Sequence, residues 1–239
     1  MPPDFCPTPG AHSTALRNFA EQYPGVHLDV CVDDRMIDIT AAGFDAGVRY
    51  EDRVPLDMVG VALTAPEDWV VVGSPDLIER VGRPSKPEDL LALPCVETRI
   101  GDNSHFDWEL GNGDEMIRLP VRGPVCANET ELAVGAALEG AGFAYCLPRR
   151  ITDEVSMGML DIVLPEWASQ GPSFMIYYPS RRQPPPGLRQ LIDIIRAREG
   201  LTPVQVGRAQ PRNHIPRLFW RWRNSQRWSS GGTYGIRFQ

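Results

Sequence analysis

Apolar positions in this chain switch between a helical and an extended period. Leu16, Phe19, Ala20 and Tyr23 recur at helical spacing, which predicts a helix from about His12 to Gln22, stopped by Pro24-Gly25. Val26, Leu28 and Val30 then alternate with His27 and Asp29, as a half-buried strand does. Met36 to Ala42 reads as a short helix ended by Gly43, and Phe44 to Val48 as the next strand. Strand, helix and strand in so short a compass predict a right-handed parallel crossover.

Further along, Met58 to Thr64 reads as a strand. Trp69-Val70-Val71-Val72-Gly73 is a continuous apolar run, expected of a strand buried on both faces. Ser74-Pro75-Asp76 opens a helix with a capping residue, a proline and an acid. Ser85-Lys86-Pro87-Glu88 opens another with capping-box spacing. Cys95 to Thr98 is a predicted strand, and His105 to Leu119, broken at Gly111-Asn112-Gly113-Asp114, a hairpin. Asn128-Glu129-Thr130-Glu131 has the spacing of a capped helix start, with Asn128 as cap and Glu131 reaching back. Phe143 to Leu147, Met159 to Leu164 and Phe174 to Tyr178 are the remaining strands. Leu188, Leu191, Ile192 and Ile195 mark a last amphipathic helix. Helices alternating with mostly parallel strands make an α/β protein, one that crosses to a second lobe near Trp69 and returns near Phe174. Val70, Val71, Phe143, Ala144, Leu147 and Ile176 are its expected core.

Charge is unevenly placed. Residues 201–239 hold seven arginines and no acid; without them, 17 basic residues face 31 acidic ones, a net of about −14. A body this acidic repels phosphate backbones. Cys6, Cys31, Cys95, Cys126 and Cys146 are scattered, with no Cys-x-x-Cys pair, so neither a zinc site nor a redox motif is expected. No apolar run approaches the ~18 residues that span a bilayer, and Met1 to Cys6 have no secretory character; a cytoplasmic protein without membrane contact is expected. Nucleophile-elbow, zinc-protease, Walker and dinucleotide patterns are absent, so neither enzyme activity nor a cofactor is expected.

Several motifs in order carry a family resemblance over about Cys6 to Ala197. They are Phe19 with Tyr23-Pro24, Phe44 to Arg49, Ser74-Pro75, Pro84 with Pro87-Glu88-Asp89-Leu90, and Trp108. Gly140 to Ala144 running into Leu147-Pro148, Gly158-Met159-Leu160, Leu164 to Trp167, and Tyr177 to Arg182 complete the set. Together they resemble the effector-binding domain of LysR-type transcriptional regulators. The resemblance implies a two-lobed fold like that of periplasmic binding proteins, with an inter-lobe cleft and two crossover strands. Residues 1–68 and 175–200 form lobe I in this reading, and residues 69–174 lobe II. It also implies a small-molecule effector in the cleft and a homodimer built on the helices near Ala15 and Ala136. Promoter DNA is reached only through a helix-turn-helix, which this sequence does not contain.

Two departures from the family stand out: the missing DNA-reading module, and a first strand of lobe I absent or reduced to Met1 to Phe5, which leaves a central strand of that sheet unaccounted for. Expected effector contacts are Asn128 and Thr130 at a helix N-terminus, where free N–H groups favour a carboxylate. Thr98, Arg99 and Ser104 follow a strand expected to end at the cleft, with Arg99 suited to an anion. Thr8 and His12 stand where the family's first loop meets effectors. The basic, aromatic tail of residues 201–239 is read as a disordered, unselected addition that packs poorly. Nucleic-acid or membrane binding is the other reading of its Arg and Trp content. Other readings of the whole chain are a stand-alone small-molecule-binding protein and a non-functional fragment of a regulator gene.

Overall fold

The computed structural model describes residues 11–33, 37–179, 184–204 and 233–238. They divide into two compact units, one built on Pro66–Pro172 and the other on Ser13–Ala65 with Ser173–Gln239.

The second of these begins with helix α1 (Ala11–Gln22), then β1 (Leu28–Asp33), β2 (Ala46–Tyr50) and β3 (Met58–Ala62); β13 (Phe174–Pro179), α5 (Leu188–Arg198) and β14 (Thr233–Phe238) return to it. Its sheet has the order β1-β14-β2-β13-β3. Phe19 of α1 and Leu188, Leu191, Ile192 and Ile195 of α5 are buried. Arg49 is also buried: its Nη2 donates to the Ile37 carbonyl at 2.8 Å, and its guanidinium carbon lies 5.4 Å from the centre of the Tyr177 ring. Arg196 is held in the same way, donating to the carbonyls of Thr202 and Ala62.

Two expectations fail in this unit. Residues 37–43 form a turn rather than a helix. The Asp38 carboxylate accepts from the Thr40 and Ala41 amides at 2.9 and 3.2 Å, which starts the turn. Gly43, at φ 77°, and the Phe44 amide bonded to the Ile39 carbonyl at 2.8 Å close it at once. The tail is the larger correction. Residues 205–232 lie outside those described, but 233–238 form a full strand inside the sheet, second from its β1 edge. β1 and β2 are not paired with each other. Each is antiparallel to β14, so the two run parallel to each other with β14 satisfying both inner edges. An interior position of the sheet is thus filled from the far end of the chain, and Ile236 is buried there. Met1 to Phe5 lie outside the described residues.

The other unit contains β4 (Glu67–Gly73), α2 (Pro75–Val81), β5 (Val96–Arg99), β6 (His105–Phe106), β7 (Trp108–Leu110), β8 (Ile117–Leu119), β9 (Val125–Ala127), α3 (Thr130–Leu138), β10 (Ala144–Cys146), α4 (Thr152–Ser156), β11 (Asp161–Val163) and β12 (Ser169–Gly171). β4 is its spine: β10 and β11 pair with its second half and β12 with its first, all antiparallel. Burial on both faces explains the apolar run. Val70 and Val72 pack among Val96, Val134, Ala144 and Leu160, while Trp69 stacks on Tyr145 at 5.1 Å. Ser74 caps α2 by accepting from the Leu77 amide at 3.3 Å, a contact type that contributes about 1 kcal/mol. At 85–89 the acid that caps is Asp89, not Glu88; its carboxylate accepts from the Ser85 and Lys86 amides at 2.8 and 3.2 Å.

The expectation of mostly parallel strands is also corrected. Among the named strands only β5 and β9 pair in parallel; the other ladders are antiparallel. The long strands β4 and β13 cause this, because each receives neighbours from separate stretches of chain that arrive in the opposite sense. All six expected core residues, from Val70 to Ile176, are buried.

Candidate effector site

The parallel pair β5–β9 places the sequence-derived candidates of this unit at one end of a sheet. Thr98 lies opposite Ala127 in the register, so Asn128 follows directly beyond Thr98's neighbour. Thr130 then begins α3 and is buried, while Asn128 is exposed and Thr98 half-buried. Carboxyl ends of parallel strands, followed by a helix N-terminus, are where ligands of α/β proteins collect.

Arg99 ends β5 and pairs with His105 across the tight return into β6. It is exposed and has no ion pair among the described residues, which leaves its guanidinium available to an anion. Ser104 is less available than its type suggests. Its hydroxyl donates to Asp102 Oδ1 at 2.6 Å and its amide to the same atom at 3.0 Å, closing a turn in which Asn103 sits at φ 66°. Thr98, Arg99, Asn128 and Thr130 are thus brought to one end of the β5–β9 pair, with Ser104 in the adjoining loop. Thr8 lies outside the described residues. His12 stands in the first turn of α1, and its side chain lies outside them too.

The predicted capping box is not what starts α3. Glu129 occupies the cap position without a side-chain capping bond, and Glu131 turns to the buried Arg150, its Oε1 2.8 Å from Nη1. That pairing offsets the charge of Glu131 in the first turn of α3, while Glu129 stands at the cap itself. Sequence reasoning also missed Glu97. On β5, its carboxylate lies 2.6 Å from His105 Nδ1 and 3.3 Å from the Gly123 amide, with Arg122 at 3.5 Å. It fixes the loops on both sides of the strand. Its position one residue before Thr98 was the only signal, and alternation points it to the other face.

Burial, helped by Glu97, pushes the Cys95 thiol up to about 12 and keeps it protonated. Burial likewise drives the Tyr145 phenol far above its ordinary range, despite a hydrogen bond with Ser169. No group of three or more His, Cys, Asp or Glu side chains placed to hold a metal, and no helix long and apolar enough to cross a membrane, occurs among the described residues.

The chain matches the family described as LysR substrate binding domain over residues 6–200, and it belongs to that family. It is 34% identical over 181 residues to the uncharacterized HTH-type transcriptional regulator YcaN of Escherichia coli (strain K12), covering 76% of this chain and 59% of that one. It is 29% identical over 163 residues to the HTH-type transcriptional regulator DmlR of the same strain, covering 68% and 53%. The chain therefore spans between half and two thirds of the length of these relatives. Among solved structures, the regulatory domain of CrgA from Neisseria meningitidis, a LysR-type transcriptional regulator, superposes with a TM-score of 0.68 at 19% identity, over 80% of this chain and 92% of that one. The regulatory domain of AphB from Vibrio vulnificus gives 0.66 at 21%, over 79% and 93%. At such identities these two show the fold. The family is one of transcriptional regulators, which are generally not enzymes.

Proposed function

We infer that this chain is the effector-sensing part of a LysR-type transcriptional regulator and that it holds a small anionic molecule at the β5–β9 end. The supporting observation is the convergence there of Thr98, Asn128, Thr130 and the α3 N-terminus, with Arg99 exposed beside them. Hydroxyl, amide and helix N–H groups together suit a carboxylate, and Arg99 adds the charge that makes binding sensitive to salt. Reading DNA is assigned to a separate module of the kind named in the relatives, because the net negative charge of the body disfavours phosphate backbones.

A calorimetric screen of small carboxylates tests the site. Asn128→Ala and Arg99→Ala are each expected to weaken the best ligand by about tenfold or more, with Arg99→Ala also flattening the salt dependence. Unchanged affinity in both variants excludes this end of the sheet. Pairing into a homodimer through α1 and α3 is part of the same reading. The exposed Leu132 on α3 supports it, and sedimentation that finds only monomer at high concentration refutes it.

A further inference from the structure

β14 is held by more than its two ladders. The turn between β1 and β2 reads its side chains. The Phe44 ring lies directly over Gly235, where an added Cβ would come within 2.5 Å of a ring carbon. The guanidinium carbon of Arg237 stands 5.4 Å from the centre of the same ring, and its Nε and Nη2 donate to the carbonyls of Gly43 and Ala42 at 2.8 and 3.3 Å. The Asp45 amide donates to the Ile236 carbonyl at 2.8 Å, and the Asp45 carboxylate accepts from the Phe238 amide at 2.9 Å. On the opposite side, the Phe238 ring meets Phe19, 6.3 Å between centres, above the close approach left by Gly187. Ile236 fills the core between them.

We propose that the channel between β1 and β2, with its clasp at residues 42–45, is a strand-binding site selective for an extended peptide of the pattern glycine, aliphatic, arginine, aromatic, and that this chain's own carboxyl-terminal strand is its resident ligand. Each position of the pattern has its reason. Only glycine fits beneath Phe44. An aliphatic side chain fills the core. Arginine caps two carbonyls and stacks on the ring, and the aromatic residue closes against Phe19. Main-chain bonds to both neighbours supply affinity and the clasp supplies specificity, the division of labour seen in β-augmentation. Nothing in this geometry needs the strand to be covalently attached. A free copy of the segment satisfies the same contacts, so the site should work in trans. The proposal is independent of the effector reading, which concerns the other unit.

The test uses the full chain carrying Gly235→Leu, which drives a side chain into Phe44 and expels the resident strand. A fluorescent peptide of residues 233–239 is titrated into it and followed by anisotropy. Saturable binding is expected, at least about tenfold tighter than for a peptide with its glycine replaced by leucine or for a scrambled one, and at least about tenfold tighter than to the unsubstituted chain, whose site is occupied. A folded Gly235→Leu chain that ignores the peptide overturns the proposal. A second measurement needs no emptied site. Asp33 and Thr233 are opposite partners in the β1–β14 ladder and lie outside the four-residue pattern, so Asp33→Cys with Thr233→Cys, in a Cys31→Ser background, should oxidise to a 33–233 disulfide seen by mass mapping. A crosslink supports the seated strand whether it forms within one chain or between two. Failure to crosslink in a folded chain overturns the proposal even where Gly235→Leu does not fold.

Discussion

Val71→Asp is expected to unfold the unit of residues 66–172. Val71 is 2% exposed at the centre of β4, where it pairs with Tyr145 on one side and Val163 on the other. A carboxylate there has no route to water and no designed partner, and burying it unpaired costs several kcal/mol even when the group neutralises itself by taking up a proton. Domains of this size are stable by about 5–15 kcal/mol in all, so one such cost consumes much of the margin. Circular dichroism and denaturant titration should show the cooperative transition of this unit lost or moved to very low denaturant. A Val71→Asp protein with the parent's midpoint shows that β4 is not the spine described here.

The same strand shows why part of this fold is legible in sequence and part is not. A strand covered on both faces must be apolar throughout, so Trp69 to Val72 announce it locally. The spacing of Leu188, Leu191, Ile192 and Ile195 announces α5 in the same way, and all four are buried. β14 gives no such signal. Its alternation is interrupted by Gly235, and glycine in a short strand reads as a loop. The glycine is there because of Phe44, a residue 191 positions earlier. A strand whose reason for existing lies at the other end of the chain is invisible to any local pattern. The candidate site divides similarly. Thr98 and Asn128 are recognisable as strand ends, and parallel pairing does the rest. The Asn128–Glu131 spacing imitates a capping box, yet Glu131 is claimed by Arg150, a buried cation that no local rule anticipates. The engagement of Ser104 was readable, since an aspartate two residues earlier is the ordinary start of a side-chain turn.

Arg118→Ala should destabilise the unit more than Glu109→Ala, although both remove the same contact. The two residues face each other across β7 and β8, with Glu109 Oε1 2.9 Å from both Nε and Nη2 of Arg118. Their surroundings differ: the Glu109 side chain is 2% exposed and that of Arg118 28%. Removing the arginine takes this cation away from a carboxylate buried beside the Trp108–Tyr145 stack, whose centres are 5.5 Å apart, in an interior where the side chain has little access to water. Removing the glutamate leaves a long guanidinium already partly in water, able to swing outward. Breaking a buried pair on the side that cannot relax costs about 3–5 kcal/mol, whereas the relaxing side should cost roughly 1–2. Denaturant midpoints at pH 7 should therefore fall further for Arg118→Ala than for Glu109→Ala. Equal losses in the two variants would mean that the Glu109 side chain relaxes towards solvent as freely as that of Arg118.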